Sequence, residues 1–218
     1  MRFRIDLKIF IFFILFYFTR QIEVYALIMI FALIHELGHL LAGLIMGMKP
    51  EKIEIMPFGV SISFKINVKE YNMKIKKANI LEIKKIMVAL AGPVTNFIII
   101  LIACNLNFNM VRNILIIYIN FLIMIFNLLP IYPLDGGRIL KGILHIVKGK
   151  RKAEKYTNII SKITVIVITA ISSILILYIQ NISIFLIDIY IWYLVIKEDF
   201  KYKNREEIYK KLLENNMI

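Results

Sequence analysis

The sequence predicts an all-α polytopic membrane protein of about six transmembrane helices, with a small membrane-associated β-hairpin or sheet after the second. Three observations carry this. Of 218 residues, 60% are hydrophobic, against about 45–50% apolar in a soluble domain. The apolar residues gather in six stretches, near 7–22, 24–48, 86–106, 112–130, 159–180 and 182–196, and a hydrocarbon core needs about 20 helical residues. The positive charge alternates between the connections. The N-terminus, the even loops and the tail hold 26 of the 28 Lys and Arg, and the odd loops hold 2.

That alternation is the positive-inside pattern for six helices with both termini cytoplasmic. It accounts for the net charge of +13 without nucleic acid as a partner. The lipid bilayer is the expected surroundings, in a cell membrane whose Ile, Lys and Asn richness points to a bacterium. The helical domain is expected over 1–196, with a short cytoplasmic tail over 197–218 that reads as helical and mixed in charge.

Each stretch has its own reading. The first follows Arg2, Arg4 and Lys8 and is taken as a span. The alternative is a signal peptide cut near Val24-Tyr25-Ala26, disfavoured because no soluble domain follows. The third ends on the lone Cys104, expected as a small buried hydrophobe. The sixth contains Asp188, an ionisable group in an apolar run, expected to pair with a polar group on a neighbouring helix. Runs Lys74–Lys77 and Lys148–Lys152 read as lipid-facing anchors.

The second stretch carries the chemistry. His35-Glu36-Leu37-Gly38-His39 has the form H-E-x-x-H. Residues i and i+4 share a helix face, so both imidazoles can reach one ion. The Glu can take a proton from water that the ion polarises. With 3 His in the chain, composition alone would produce this motif about twice in a thousand such sequences. Its place inside an apolar span makes a purely structural role costly.

A hydrolytic zinc site needs a third protein ligand and an open position. His145 lies in a basic segment and is a weak candidate. Asp135 follows a break at Pro130 and Pro133 and precedes Gly136-Gly137. Non-helical backbone at membrane depth marks a buried or wet site. On spacing alone Asp135 is equally a helix cap.

From Phe58 to Lys69 apolar and polar or small residues alternate, as in a half-buried strand. Ile53 and Ile55 begin a shorter alternation before Pro57. An edge of such a sheet can pair with an extended substrate by strand addition, with Phe58 and Val60 as candidate contacts; the bland alternative is a hairpin that only plugs the site. The histidines lie about 9–13 residues before the cytoplasmic end of their helix, roughly 14–20 Å, so water is expected from the cytoplasm.

HELGH in a membrane helix, with Asn127-Leu128-Leu129-Pro130-Ile131-Tyr132-Pro133-Leu134-Asp135-Gly136-Gly137 some 90 residues on, resembles the site-2 protease family of intramembrane metalloproteases. Ala91-Gly92-Pro93-Val94-Thr95-Asn96 resembles a third element of that family, so the likeness covers about residues 24–142. The resemblance implies one Zn2+ per chain held by His35, His39 and Asp135, with Glu36 as the catalytic base. It gives Asn127 a role in placing substrate or stabilising an oxyanion, and Asn96 a packing or hydrogen-bonding role. It implies a membrane-associated protein substrate, regulatory membrane proteins as further partners, and regulated proteolysis such as release of a tethered transcription or sigma factor. Within the family the compact six-span stage IV sporulation FB group is nearest, although the CBS domain of many such members is missing here. Two readings compete: a membrane metal transporter using the same three ligands, and a non-proteolytic relative that binds membrane clients. Internal repeats expected of a transporter are not seen, and the intact Glu36 argues against an inactive relative.

Overall fold

The structure, a computed structural model, describes residues 2–5, 17–18, 22–56, 59–65, 75–105, 110–179 and 182–215. The chain divides into two compact units, Met1–Leu128 and Leu129–Ile218. The expected span at 7–22 falls almost wholly outside the described residues.

In the first unit, strand β1 (Arg2–Ile5) is followed by helix α1 (Ile22–Ile45), strands β2 (Lys49–Met56) and β3 (Gly59–Lys65), and helices α2 (Ile75–Asn105) and α3 (Met110–Leu128). Helix α1 ends in a left-handed turn at Gly47, φ 72°. Gly47 N–H donates to the Leu44 carbonyl at 2.9 Å and Met48 N–H to the Gly43 carbonyl at 2.9 Å. This Schellman closure satisfies carbonyls that a helix end leaves open, and it feeds the chain directly into β2.

The sheet runs β1-β2-β3. Strands β2 and β3 are antiparallel from Lys49↔Lys65 to Met56↔Gly59, with a register shift between Pro50 and Lys52. Pro50 has no N–H to give a ladder, so an irregularity there is expected. Strand β1 lies parallel to β2 from Arg2↔Lys52 to Ile5↔Ile55, which leaves β3 at an edge. The β1 pairing differs from the sequence expectation, which assigned the N-terminus only to a membrane flank. Four residues are too few for an alternation to be read.

Helix α2 packs between α1 and α3. It starts at Ile75, well before the apolar stretch at 86, because Lys76, Lys77, Lys84 and Lys85 are good helix formers that a hydropathy reading discards. Cys104 is exposed on this helix rather than buried. It lies on the outward face with Leu101 and Ile102, where an apolar thiol suits lipid as well as core.

The second unit holds α4 (Asp135–Lys148), α5 (Lys150–Ile179) and α6 (Ile182–Asn215). Helix α5 packs on both others. Only Gly149, at φ 78°, separates α4 from α5, a backbone conformation that glycine takes without strain. Asp188 accepts a hydrogen bond from Ser172 Oγ at 3.2 Å, and Trp192 Nε1–H donates to Thr169 Oγ1 at 2.9 Å. Ser172, Asp188, Thr169 and Trp192 are thereby paired across the α5–α6 seam, as suits buried polar groups in apolar surroundings.

Among the described residues three helices are long and apolar enough to cross a membrane: Ile22–Ile45, Asn79–Asn105 and Lys150–Tyr178. A shorter apolar helix spans Asn113–Leu128. Their outward faces carry exposed residues such as Leu41, Leu101 and Ile166, surface that water would not favour.

Candidate metal centre

The two motif histidines sit on one face of α1, and each is 3% exposed. Their outer ring nitrogens are committed. His35 Nδ1 lies 2.9 Å from Asn96 Oδ1, and Asn96 Nδ2–H in turn donates to the Asn120 carbonyl at 3.3 Å. That fixes the carboxamide so that its oxygen faces the ring, and His35 Nδ1 must donate. His39 Nδ1 lies 2.7 Å from the Val88 carbonyl, which can only accept. The Gly92 amide, 3.3 Å from the same nitrogen, is the weaker neighbour and does not reverse that assignment.

Both rings are therefore Nδ1–H tautomers, with lone pairs on Nε2. The two Nε2 atoms face each other at 3.1 Å. Two acceptors at that distance repel unless a proton or cation lies between them. A histidine that donates one ring N–H to a carboxamide or carbonyl while turning the other nitrogen inward has the outer-shell pattern of a metal ligand.

The helix crossing makes this geometry possible through two glycines. A Cβ on Gly92 would overlap Nε2 of both His35 and His39, and a Cβ on Gly38 would overlap the Thr95 side chain and crowd the Ala91 carbonyl. Gly92 and Gly38 thus remove the side chains that would hold α2 off α1. Thr95 Oγ1–H folds back onto the Ala91 carbonyl at 2.8 Å. The segments Ala91–Asn96 and His35–His39 are two halves of one packed joint. Glu36 lies between the ligand candidates on α1 and is half-buried.

In the second unit, Asp135 opens α4 and is 4% exposed. It is not the cap of that helix. Leu134 occupies the N-cap position, with no side-chain capping bond. Asp135 instead stands in the first turn, where the helix N-terminus favours a carboxylate. Arg138 lies 3.8 Å from it. The preceding turn is tight: Leu134 N–H donates to the Ile131 carbonyl at 2.8 Å, and Ile131 is fully buried. The Tyr132–Pro133 peptide is cis. A Cβ on Gly137 would overlap the backbone of Ile131 and Tyr132, so the second glycine of the LDGG segment is required by backbone contact. Each of the three is buried: His35 and His39 in the first unit offer two imidazole nitrogens, and Asp135 in the second offers a carboxylate oxygen. That donor set is consistent with zinc.

A family model for peptidase family M50 matches residues 23–112 and 107–171. The chain belongs to that family. A zinc metalloprotease of Methanocaldococcus jannaschii is 32% identical over 146 residues, which cover 63% of this chain and 39% of the relative. The aligned part thus spans about two fifths of that relative's length. The solved structure of a site-2 protease from Methanocaldococcus jannaschii aligns with a TM-score of 0.62 at 22% identity, covering 91% of each chain; the fold is that of a site-2 protease.

Asn127, in the last turn of α3, turns its Nδ2–H back to the Ile123 carbonyl at 3.0 Å. Val60 lies in β3, opposite Ile55. Phe58 lies outside the described residues. His145, in the last turn of α4, joins no group of three metal-capable side chains among the described residues. The resemblance gave Asn96 a packing or hydrogen-bonding role without naming His35 as its partner. The bond to the Val88 carbonyl and the clearance made by Gly92 were not read from the sequence.

Proposed function

We propose that this chain is an integral-membrane zinc endopeptidase that cleaves membrane-associated proteins. His35 Nε2, His39 Nε2 and the Asp135 carboxylate are its metal ligands and Glu36 is its general base. The observation that carries the reading is the approach of the two Nε2 atoms to 3.1 Å, with each ring held by a contact of its Nδ1 on the far side. Membership of family M50 supports the same chemistry.

A zinc ion bound there supplies Lewis-acid polarisation of water and of the scissile carbonyl. The protein supplies the rest. Asn96 and Val88 hold the imidazoles in one tautomer and orientation. Glu36 takes the proton from the attacking water and delivers it to the leaving amine. The low dielectric around buried His35, His39 and Asp135 strengthens each of these charge interactions.

The finer reading is a compact six-span enzyme with cytoplasmic termini, of the sporulation FB type. It would act in regulated proteolysis that releases a tethered factor. Substrate would be held extended along the edge of β3, with Phe58, Val60 and Asn127 as contacts. The edge position of β3 in the sheet favours strand addition. Proline at Ile62 and at Ser63 tests both alternating edges of the strand; if folded forms of both variants cleave at the wild-type rate, strand addition is wrong.

The central test compares wild type with Glu36→Gln after reconstitution with a candidate membrane substrate. Zinc content should be unchanged and cleavage should fall at least about 100-fold, the scale of a positioned general base. Equal processing by both proteins defeats the proposal.

A further inference from the structure

We propose that the outer half of α6, residues 197–215, positions the Asp135 segment through the contact chain Arg205–Glu154–Lys141–Tyr132 and thereby sets the metal affinity of the site. This rests on the reading of Asp135 as a zinc ligand.

Helix α6 runs back along α5, and polar rungs at Asp199, Arg205 and Glu206 join its outer half to that helix. Asn158 Nδ2–H donates to Asp199 Oδ1 at 2.8 Å. Arg205 Nε lies 3.7 Å from Glu154 Oε2. Arg151 grips Glu206 with two nitrogens, at 3.2 and 3.0 Å. Residues 151, 154 and 158 share one face of α5. Among the described residues, the rung at Glu154 is the one that also reaches a third helix. Glu154 Oε1 is 3.4 Å from Lys141 Nζ on α4, and the Glu154 side chain is 10% exposed. A nearly buried carboxylate between two cations is held by both, so a shift of Arg205 is felt at Lys141.

Lys141 reaches the Asp135 segment in two ways. It is six residues after Asp135 on the same rigid helix. Its Nζ also lies 4.7 Å above the Tyr132 ring, within cation–π range. Tyr132 N–H is in turn anchored to Ser161 Oγ of α5 at 3.0 Å. The turn before Asp135 and the back of α4 are therefore both fastened to α5, and Glu154 adds α6 to the joint.

The joint is polar and adjustable. Tyr132, Lys141, Glu154, Thr157, Ser161 and Arg205 line a cavity of about 20 Å³, room for about one water and too small for an organic ligand. Two buried atoms on its wall, Thr157 Oγ1 and Arg205 Nε, have no hydrogen-bond partner among the described residues. The tail is thus coupled to α4 by charge rather than by close packing, and a partner that bound residues 197–215 would act on the metal ligand through the same path.

The test uses the full chain with Arg205→Met, Arg205→Lys, Glu154→Gln and Asp135→Ala. Zinc affinity is read by competition with a chromophoric chelator, and ligand geometry by the d–d spectrum of the cobalt-substituted protein. Arg205→Met and Glu154→Gln should weaken zinc about 5- to 20-fold, within the range for outer-shell changes, and shift the cobalt bands. Arg205→Lys should recover most of the loss. If both variants melt earlier but keep wild-type affinity and spectrum, the contacts are merely structural and the proposal fails. Asp135→Ala separates the two levels: if it leaves zinc binding intact, the ligand assignment falls and takes this inference with it. If it abolishes binding while the relay variants do not, only the relay falls.

Discussion

Around His35 and His39 the helices meet through absent side chains and a carboxamide; around Asp135 helix α4 is fastened by ion pairs, a hydroxyl and an aromatic ring. The first region is closely packed. Gly92 and Gly38 bring backbone to ring, and Asn96, fully buried, spends both ends of its carboxamide. The second contains a small polar cavity with two buried atoms unbonded. Steric clearance is unforgiving, because an interior at crystal-like density cannot absorb a methyl group. Long ion-paired side chains yield by small rotations. Substitutions in the first region should therefore act as switches, and those in the second as dials.

The largest effect is expected at Gly92. Gly92→Ala places a methyl group on both Nε2 atoms, and neither ring can swing aside without breaking its bond to Asn96 or Val88. Overpacking alone costs about 1–3 kcal/mol, and both ligand atoms are displaced as well. Zinc affinity should fall by at least about 100-fold, ~3 kcal/mol, with the apo protein still folded. Chelator competition measures the first and a thermal melt the second. An affinity within a few-fold of wild type would remove the distinction between the regions.

This contrast also explains what could be read in the sequence. His35, Glu36 and His39 are legible because a metal needs donors at helical spacing, and that spacing is written in the chain. Asp135 is half legible: spacing left it between ligand and cap, and only the resemblance chose between them. Its burial and the N-cap position of Leu134 are tertiary facts. Gly92 is illegible as a clearance, because the residue it accommodates is 53 positions away. Helix interiors were legible from hydropathy and helix ends were not. Helices α2 and α5 begin at Ile75 and Lys150, in lysine-rich sequence that leaves the apolar core but continues the hydrogen-bond ladder. Strand β1 depends wholly on a partner 50 residues on.

A smaller effect is expected at Asn96. Asn96→Ala removes the acceptor for His35 Nδ1–H and frees the ring to rotate or change tautomer. The loss should be about 10- to 100-fold in zinc affinity, the usual scale for an outer-shell partner. The cobalt-substituted protein should show broadened d–d bands, since one ligand is no longer held in a single orientation. Unchanged affinity with unchanged bands would mean that helix packing, not this bond, orients His35.

The smallest effect belongs to the ion pairs of the second region, and pH exposes it. Burial pushes the Asp199 carboxyl upward, but bonds from Asn158, Lys162 and Lys203 outweigh it and hold the group at about 2, against an ordinary 3.8. A carboxylate with a depressed value stabilises the fold fully above its unfolded value and loses that contribution as pH falls through the folded one. Asp199→Asn removes it at every pH. The difference in melting temperature between wild type and Asp199→Asn should thus be constant above about pH 5, shrink between about 4 and 2, and vanish below. Taking the difference cancels the carboxylates common to both proteins. A difference that stays constant down to pH 2 would mean that Asp199 is held by packing, and the dial-like character of the second region would lose its electrostatic basis.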